Sequence, residues 1–200
     1  MKIVYTFLLV LCSIGCFAQK NTQQDWDLER INLHYKKTNT IGMSVLTGWA
    51  SANILTSGVL MFTETGPAKH FHQMNVGWGA INLALGGVGL WRAVNKTSID
   101  TPFAESYKRF QNTQKMFLVN GGIDVGYIFT GLFLWELSRR GSKHADILSG
   151  FGQSFVMQGS FLLAFDFIMF FIHQRAGKPH HKILSGLTLS SNGIGLRLTF

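Results

Sequence analysis

Asp124 and Asp166 each stand inside an apolar run long enough to cross a bilayer. An ionisable group at membrane depth is costly, so it is expected to be buried and paired, or to serve a function. At helical spacing Asn120, Asp124, Tyr127 and Gly131 fall on one stripe of NGGIDVGYIFTGLFLW. Gly122, Gly126 and Thr130 fall on nearly the opposite side, at the small-xxx-small spacing that lets helices approach closely. A second run carries Gln158, Leu162, Asp166, Met169 and His173 on one face. Two carboxylates with amides and a Tyr hydroxyl could bind a cation. They could also share a proton, because two like charges buried together resist double ionisation. Arg92, Lys115 or His173 could instead neutralise them as ion pairs, and polar groups in spans also serve to tie helices together by hydrogen bonds.

The elements that must position these residues follow from the distribution of apolar residues. The chain has 200 residues, of which 14% are charged, with 17 Phe and 22 Gly, and its apolar residues gather in long blocks. Those blocks predict an all-α membrane protein rather than a soluble core. Spans are expected at about 41–63, 73–93, 116–137 and 147–173, together a four-helix transmembrane domain over 41–173. Gly48-Trp49, Asn53, Gly58 and Phe62 match Gly77-Trp78, Asn82, Gly87 and Trp91 at an offset of 29. Consecutive spans run in opposite directions, so the first two form a small inverted repeat.

The flanks differ from the spans. Residues 1–18 have a basic Lys2, a short apolar stretch and a Cys-Phe-Ala end, which reads as a signal peptide cut after Ala18. Ser13-Ile-Gly-Cys16 offers acylation of Cys16 as the alternative. Both cysteines lie in this segment, so the mature chain is expected to hold no disulfide and no thiolate ligand. Residues 19–40, with Trp26, Leu28, Ile31 and Tyr35 at helical spacing and Asp25 as a cap, predict an amphipathic helix on the membrane surface. Thr38-Asn39-Thr40 is expected to break it from the first span, and TETGPAKHFH to form the loop between the first two spans. In the tail, 174–200, Asn192-Gly193 lies between alternating runs and predicts a β-hairpin. That turn sets Leu189 opposite Leu196 and Leu187 opposite Leu198, an apolar face suited to lipid or a protein partner.

Topology places the polar residues. The third span starts, and the fourth ends, on the side of the two termini, which puts Asp124 and Asp166 roughly 10–12 Å below that surface. Asn53 and Asn82 fall nearer the midplane and Gln158 deeper. Turned inward, Asn53, Asn82, Asn120, Asp124, Tyr127, Gln158 and Asp166 would line a cleft, with Gly122, Gly126 and Thr130 packing helices within the chain or in a homo-oligomer. With the signal removed, both termini are expected in the periplasm and the basic Arg139–Lys143 turn in the cytoplasm, in a bacterial inner membrane.

The formal charge of +8 falls to +7 when Lys2 leaves with residues 1–18, and that excess is expected to meet lipid headgroups; no nucleic-acid module is visible. No HExxH, GxSxG or Walker A motif occurs, so no catalytic residue, cofactor or metal is expected. Ser154 and Ser160 lie on the fourth span without an activating base, and His70, His72, His180 and His181 are read as solvated loop residues.

Gly48-Trp49…Asn53, Asn120…Asp124…Tyr127, Gln158-Gly159…Phe165-Asp166 and the NGIGLRLTF tail together resemble small four-span membrane proteins of Gram-negative bacteria that form uncharacterised families. The resemblance implies a fold class and no chemistry. The leading expectation is a non-enzymatic inner-membrane protein that binds a partner or lipid. The alternative is a small transporter or channel subunit using Asp124 and Asp166 for a cation or proton.

Overall fold

The structure, a computed structural model, describes the backbone of residues 22–185, 187–190 and 193–196 and the side chains of residues 28–177. The expected signal peptide over 1–18 lies outside the described residues. Among the described residues four helices make up the fold: α1 (Thr22–Thr63), α2 (Gly66–Asn95), α3 (Phe103–Ser138) and α4 (Ala145–Ser185).

Several expectations are corrected. α1 is one helix of 42 residues, not a surface helix followed by a span. The break expected at Thr38-Asn39-Thr40 is absent because these side chains bond back along the helix. Asn39 Nδ2 donates to the Tyr35 carbonyl at 3.0 Å and Thr40 Oγ1 to that of Lys36 at 2.9 Å. Such bonds satisfy a short polar side chain without leaving the helix. At 1.5 Å per residue α1 is roughly 63 Å long, about twice the hydrocarbon thickness. Its first half therefore stands beside the start of α3 instead of lying flat. Ile31 and Tyr35 pack there against Phe110, with Ala176 of α4 closing the cluster.

The loop between α1 and α2 also shrinks to Glu64-Thr65. Gly66 turns the chain with φ of 58°, and Pro67 starts α2 where its missing N–H costs nothing.

The C-terminal β-hairpin of the expected fold class is corrected as well. α4 continues through residue 185, and the fold is an all-α bundle. The described strands are two four-residue segments, β1 (Leu187–Ser190) and β2 (Gly193–Leu196), which pair with Leu187 opposite Leu196 and Leu189 opposite Ile194. This register differs from the one expected about Asn192-Gly193, which set Leu189 opposite Leu196. A pair this short is marginal by itself, so the helices set the architecture.

α3 and α4 form one tightly packed pair, α1 and α2 another, and α2 leans on α4, whereas the backbones of α2 and α3 nowhere approach closely. Glycines set the close contacts. A Cβ on Gly131 would lie 2.6 Å from the Gly152 carbonyl oxygen, and one on Gly79 2.7 Å from Ile54. Among the described residues three helices, over Leu28–Thr63, Phe103–Ser138 and Ala145–Gly177, are long and apolar enough to cross a membrane. α2 is not among them, since glycines, Trp78, Asn82, Trp91 and Arg92 dilute its apolar stretch. Many large apolar side chains face outward, among them Leu55, Phe62, Phe129 and Phe133, as the bilayer-facing surface of a multi-pass protein would require.

Candidate functional site

The buried face of α2 carries Asn75, Trp78, Gly79, Asn82 and Gly86, a helical stripe directed at α4 and α1. The buried face of α3 carries Phe117, Gly121, Asp124 and Gly131. α4 adds Ser154, Gln158, Phe165, Asp166, Met169 and His173, all buried. Because α2 and α3 stand apart, these faces leave a cavity of about 170 Å³ between them, with α4 behind it.

Asp124 and Asp166 meet across this cavity, their carboxyl groups in direct contact. Both are almost fully buried, at 3% and 5% exposure. Asn82, Asn120, Tyr127 and Trp78 complete the polar wall. The Trp78 and Tyr127 rings meet edge to face, 4.8 Å apart and at 71°, and this contact bridges α2 to α3. Three buried polar atoms here have no hydrogen-bond partner among the described residues: Asp124 Oδ2, Asn82 Nδ2 and Trp78 Nε1. Each such atom costs about 1–3 kcal/mol unless something bonds it.

The neutralising cations considered from the sequence do not reach the pair. Arg92 and Lys115 are exposed. His173 is fully buried elsewhere, stacked at 5.8 Å on Phe117 and close to Tyr35 and Phe110, with neither ring nitrogen bonded. Among the described residues the one ion pair is Arg140 with Glu136, on the surface.

Asn53 and Gln158, expected in the same cluster, belong to a separate layer. Gln158 Nε2 donates to Asn53 Oδ1 at 2.8 Å and to Asn75 Oδ1 at 2.9 Å, and its Oε1 accepts from Trp49 Nε1 at 2.9 Å. Ser154 Oγ donates to Asn75 Oδ1 at 2.7 Å. This layer joins α1, α2 and α4 and is fully bonded on Gln158. Asn75 and Ser154 were missed as members. The signal for Asn75 was its place one heptad before Asn82, and that for Ser154 its place four residues before Gln158.

A third polar cluster lies at the other end of the bundle. Asn32, fully buried, donates from Nδ2 to the carbonyls of Ile99 (2.9 Å) and Thr101 (3.1 Å). Its Oδ1 accepts from Ser106 Oγ at 2.6 Å and from Arg109 Nη2 at 2.8 Å. Arg109 also lies over the Tyr35 ring at 4.5 Å. Asn32 thereby ties α1 to the loop before α3, which explains why the first half of α1 is docked.

Gly122, Gly126 and Thr130 sit on the exposed face of α3, and a Cβ on either glycine would meet nothing within 4 Å. The close α3–α4 packing runs instead through Gly131, Gly152 and Gly159. Among the described residues no three potential metal ligands gather; His70 bonds Gln73 and His72 bonds Ser57.

No curated protein and no solved structure matches this chain. One family does, over residues 45–167, a stretch that holds the carboxyl pair and the Gln158 layer. The chain therefore belongs to DUF6992, a family of unknown function.

Proposed function

We propose that this chain is a small multi-pass inner-membrane protein, with both termini periplasmic, that binds a proton or small cation between Asp124 and Asp166 as a transporter or channel subunit. One observation carries the reading. Two carboxyl groups touch at under a tenth exposure, and no cationic side chain among the described residues bonds either of them. Two carboxylates in contact cannot both stay ionised without a positive partner, so the pair holds a proton or a cation between them. The Asp124 oxygen without a partner adds a place for one further donor.

This reading takes precedence over a partner-binding role, whose support was the hairpin face drawn about Asn192-Gly193. Ser154 donates its hydroxyl to Asn75 and belongs to the layer that ties the helices. The test is proton and sodium flux in proteoliposomes, comparing the wild type with Asp124→Asn and Asp166→Asn. Flux lost in variants that still fold supports the reading. Flux unchanged in both, or absent from the wild type, rejects it.

A further inference from the structure

The cavity at the carboxyl pair has closed ends and an open side. Toward the termini, Leu46, Phe117, Phe165 and Met169 pack into one apolar cluster. Toward the opposite end, the bonded layer of Gln158, Asn53, Asn75 and Ser154 fills the bundle. Between α2 and α3 the backbones stay more than 8 Å apart and the Trp78–Tyr127 contact spans the distance, so the cavity opens beside that contact. The edges of this gap are Ile81 and Leu85 on α2 and Ile123 on α3, which are 55%, 62% and 48% exposed yet line the same cavity as Asp124 and Asp166. Ile123 stands on α3, one of the helices long and apolar enough to cross a membrane, and Ile81 and Leu85 continue the apolar rim on α2. In a bilayer such a rim would face lipid tails, and the acidic floor would be reached from the lipid phase.

We propose that the gap between α2 and α3 admits a lipid-soluble primary amine from the bilayer, its ammonium group seated against the Asp124–Asp166 carboxyl pair on the side of Asp124 Oδ2 and its apolar tail lying between Ile81, Leu85 and Ile123. The proposal rests on the reading of the pair as a cation site and names the cation's chemical class. The volume sets the division of the ligand: about 170 Å³ holds roughly six waters' worth of matter at about 30 Å³ each, enough for a head and a few carbons. The tail must then lie in the gap. A primary ammonium carries three N–H donors and no acceptor. Asp124 Oδ2, which lacks a partner, takes one, Asp166 takes a second, and Asn120 or Tyr127 is placed for the third. A quaternary ammonium has no N–H to offer and fits this floor less well. The rings of Trp78 and Tyr127 flank the head, where an aromatic face also attracts a cation. Asn82 is 2% exposed and its unpartnered Nδ2 is a donor, so an ammonium, which has no acceptor, leaves it to a water carried in with the guest.

The experiment uses the full chain in phosphatidylcholine vesicles with dodecylamine carrying a photoreactive diazirine in its tail. Dodecanol with the same tail is the control, and labelled residues are located by mass spectrometry. The amine is expected to label Ile81, Leu85 and Ile123 about tenfold more than the alcohol, a preference of about 1.4 kcal/mol. Asp124→Asn with Asp166→Asn should abolish the preference. Ile123→Trp, a change on the exposed rim that leaves the core alone, should block the gap and cut labelling at Ile81 and Leu85. Equal labelling by amine and alcohol, or a preference that survives either change, overturns the proposal. Should the acidic variants fail to fold, the rim variant decides alone. Sodium or proton flux in the wild type without any amine preference removes this inference and keeps the cation site. Amine preference without flux keeps the site and removes transport.

Discussion

Gln158 of α4 holds Asn53 of α1 through a 2.8 Å hydrogen bond from its Nε2, and the same nitrogen reaches Asn75 of α2 at 2.9 Å. One side chain thus fastens three helices. Interhelical bonds in lipid are worth roughly 0.6 kcal/mol on average, but removing a shared partner leaves several buried groups unpaired at once. Gln158→Leu is expected to lower stability by about 2–4 kcal/mol, read as the unfolding free energy in bilayers. A loss below about 0.5 kcal/mol would show that the layer does not tie the bundle.

The two sets of glycines separate cleanly. Gly152→Ala places a methyl 2.7 Å from both the Gly131 oxygen and the Trp135 nitrogen, with backbone on the receiving side. It should cost about 2 kcal/mol or more, since overpacking here must push α3 from α4. Gly126→Ala meets open space and should be neutral, or gain up to about 1 kcal/mol from helix propensity. Thermal melting in detergent distinguishes them, and equal melting temperatures would contradict the packing described.

Asn32 is expected to control the docking of α1. Asn32→Leu removes the acceptor for Ser106 and Arg109 and the donor to the 96–102 loop, at about 1–3 kcal/mol. The direct readout is hydrogen exchange of the Thr101 and Ser106 amides, whose protection should fall while that of the Gln158 region is retained. Unchanged exchange at both amides would mean the loop is held by other contacts.

His173 makes the opposite prediction. Its ring lies flat on Phe117, with planes at 15°, and both nitrogens are buried without partners. Exchanging a polar ring for an apolar one of like shape removes that penalty while keeping the stack. His173→Phe should leave stability unchanged or raise it by about 1 kcal/mol. A marked fall in melting temperature would show that the imidazole has a bonding role.

Much of the site was legible in the sequence. An aspartate in an apolar run has few places to go, and helical periodicity with alternating span direction sets Asp124 and Asp166 at one depth, where the structure brings them together. The polar stripe of Asn120, Asp124 and Tyr127 follows from the same 3.6-residue period. These are one-dimensional properties: the cost of burying charge and the pitch of a helix do not depend on which neighbours are chosen.

What the chain order did not decide was which faces meet. Small-xxx-small spacing marks Gly122 and Gly126 as able to pack, but Gly131 and Gly152 are the ones met by a partner backbone, because α4 lies on the Asp124 side of α3. Polar residues at Thr38–Thr40 suggested a break, yet hydrogen bonds to the preceding turn and the hold of Asn32 on the α3 loop keep α1 whole. Likewise the amides divided into two layers, Gln158 with Asn53 and Asn75, and Asn82 with the carboxyl pair, once α2 had settled against α4. Spacing along one helix says which residues share a face. Only the assembled bundle, where each face must choose among several partners for shape and hydrogen bonds, decides what that face touches.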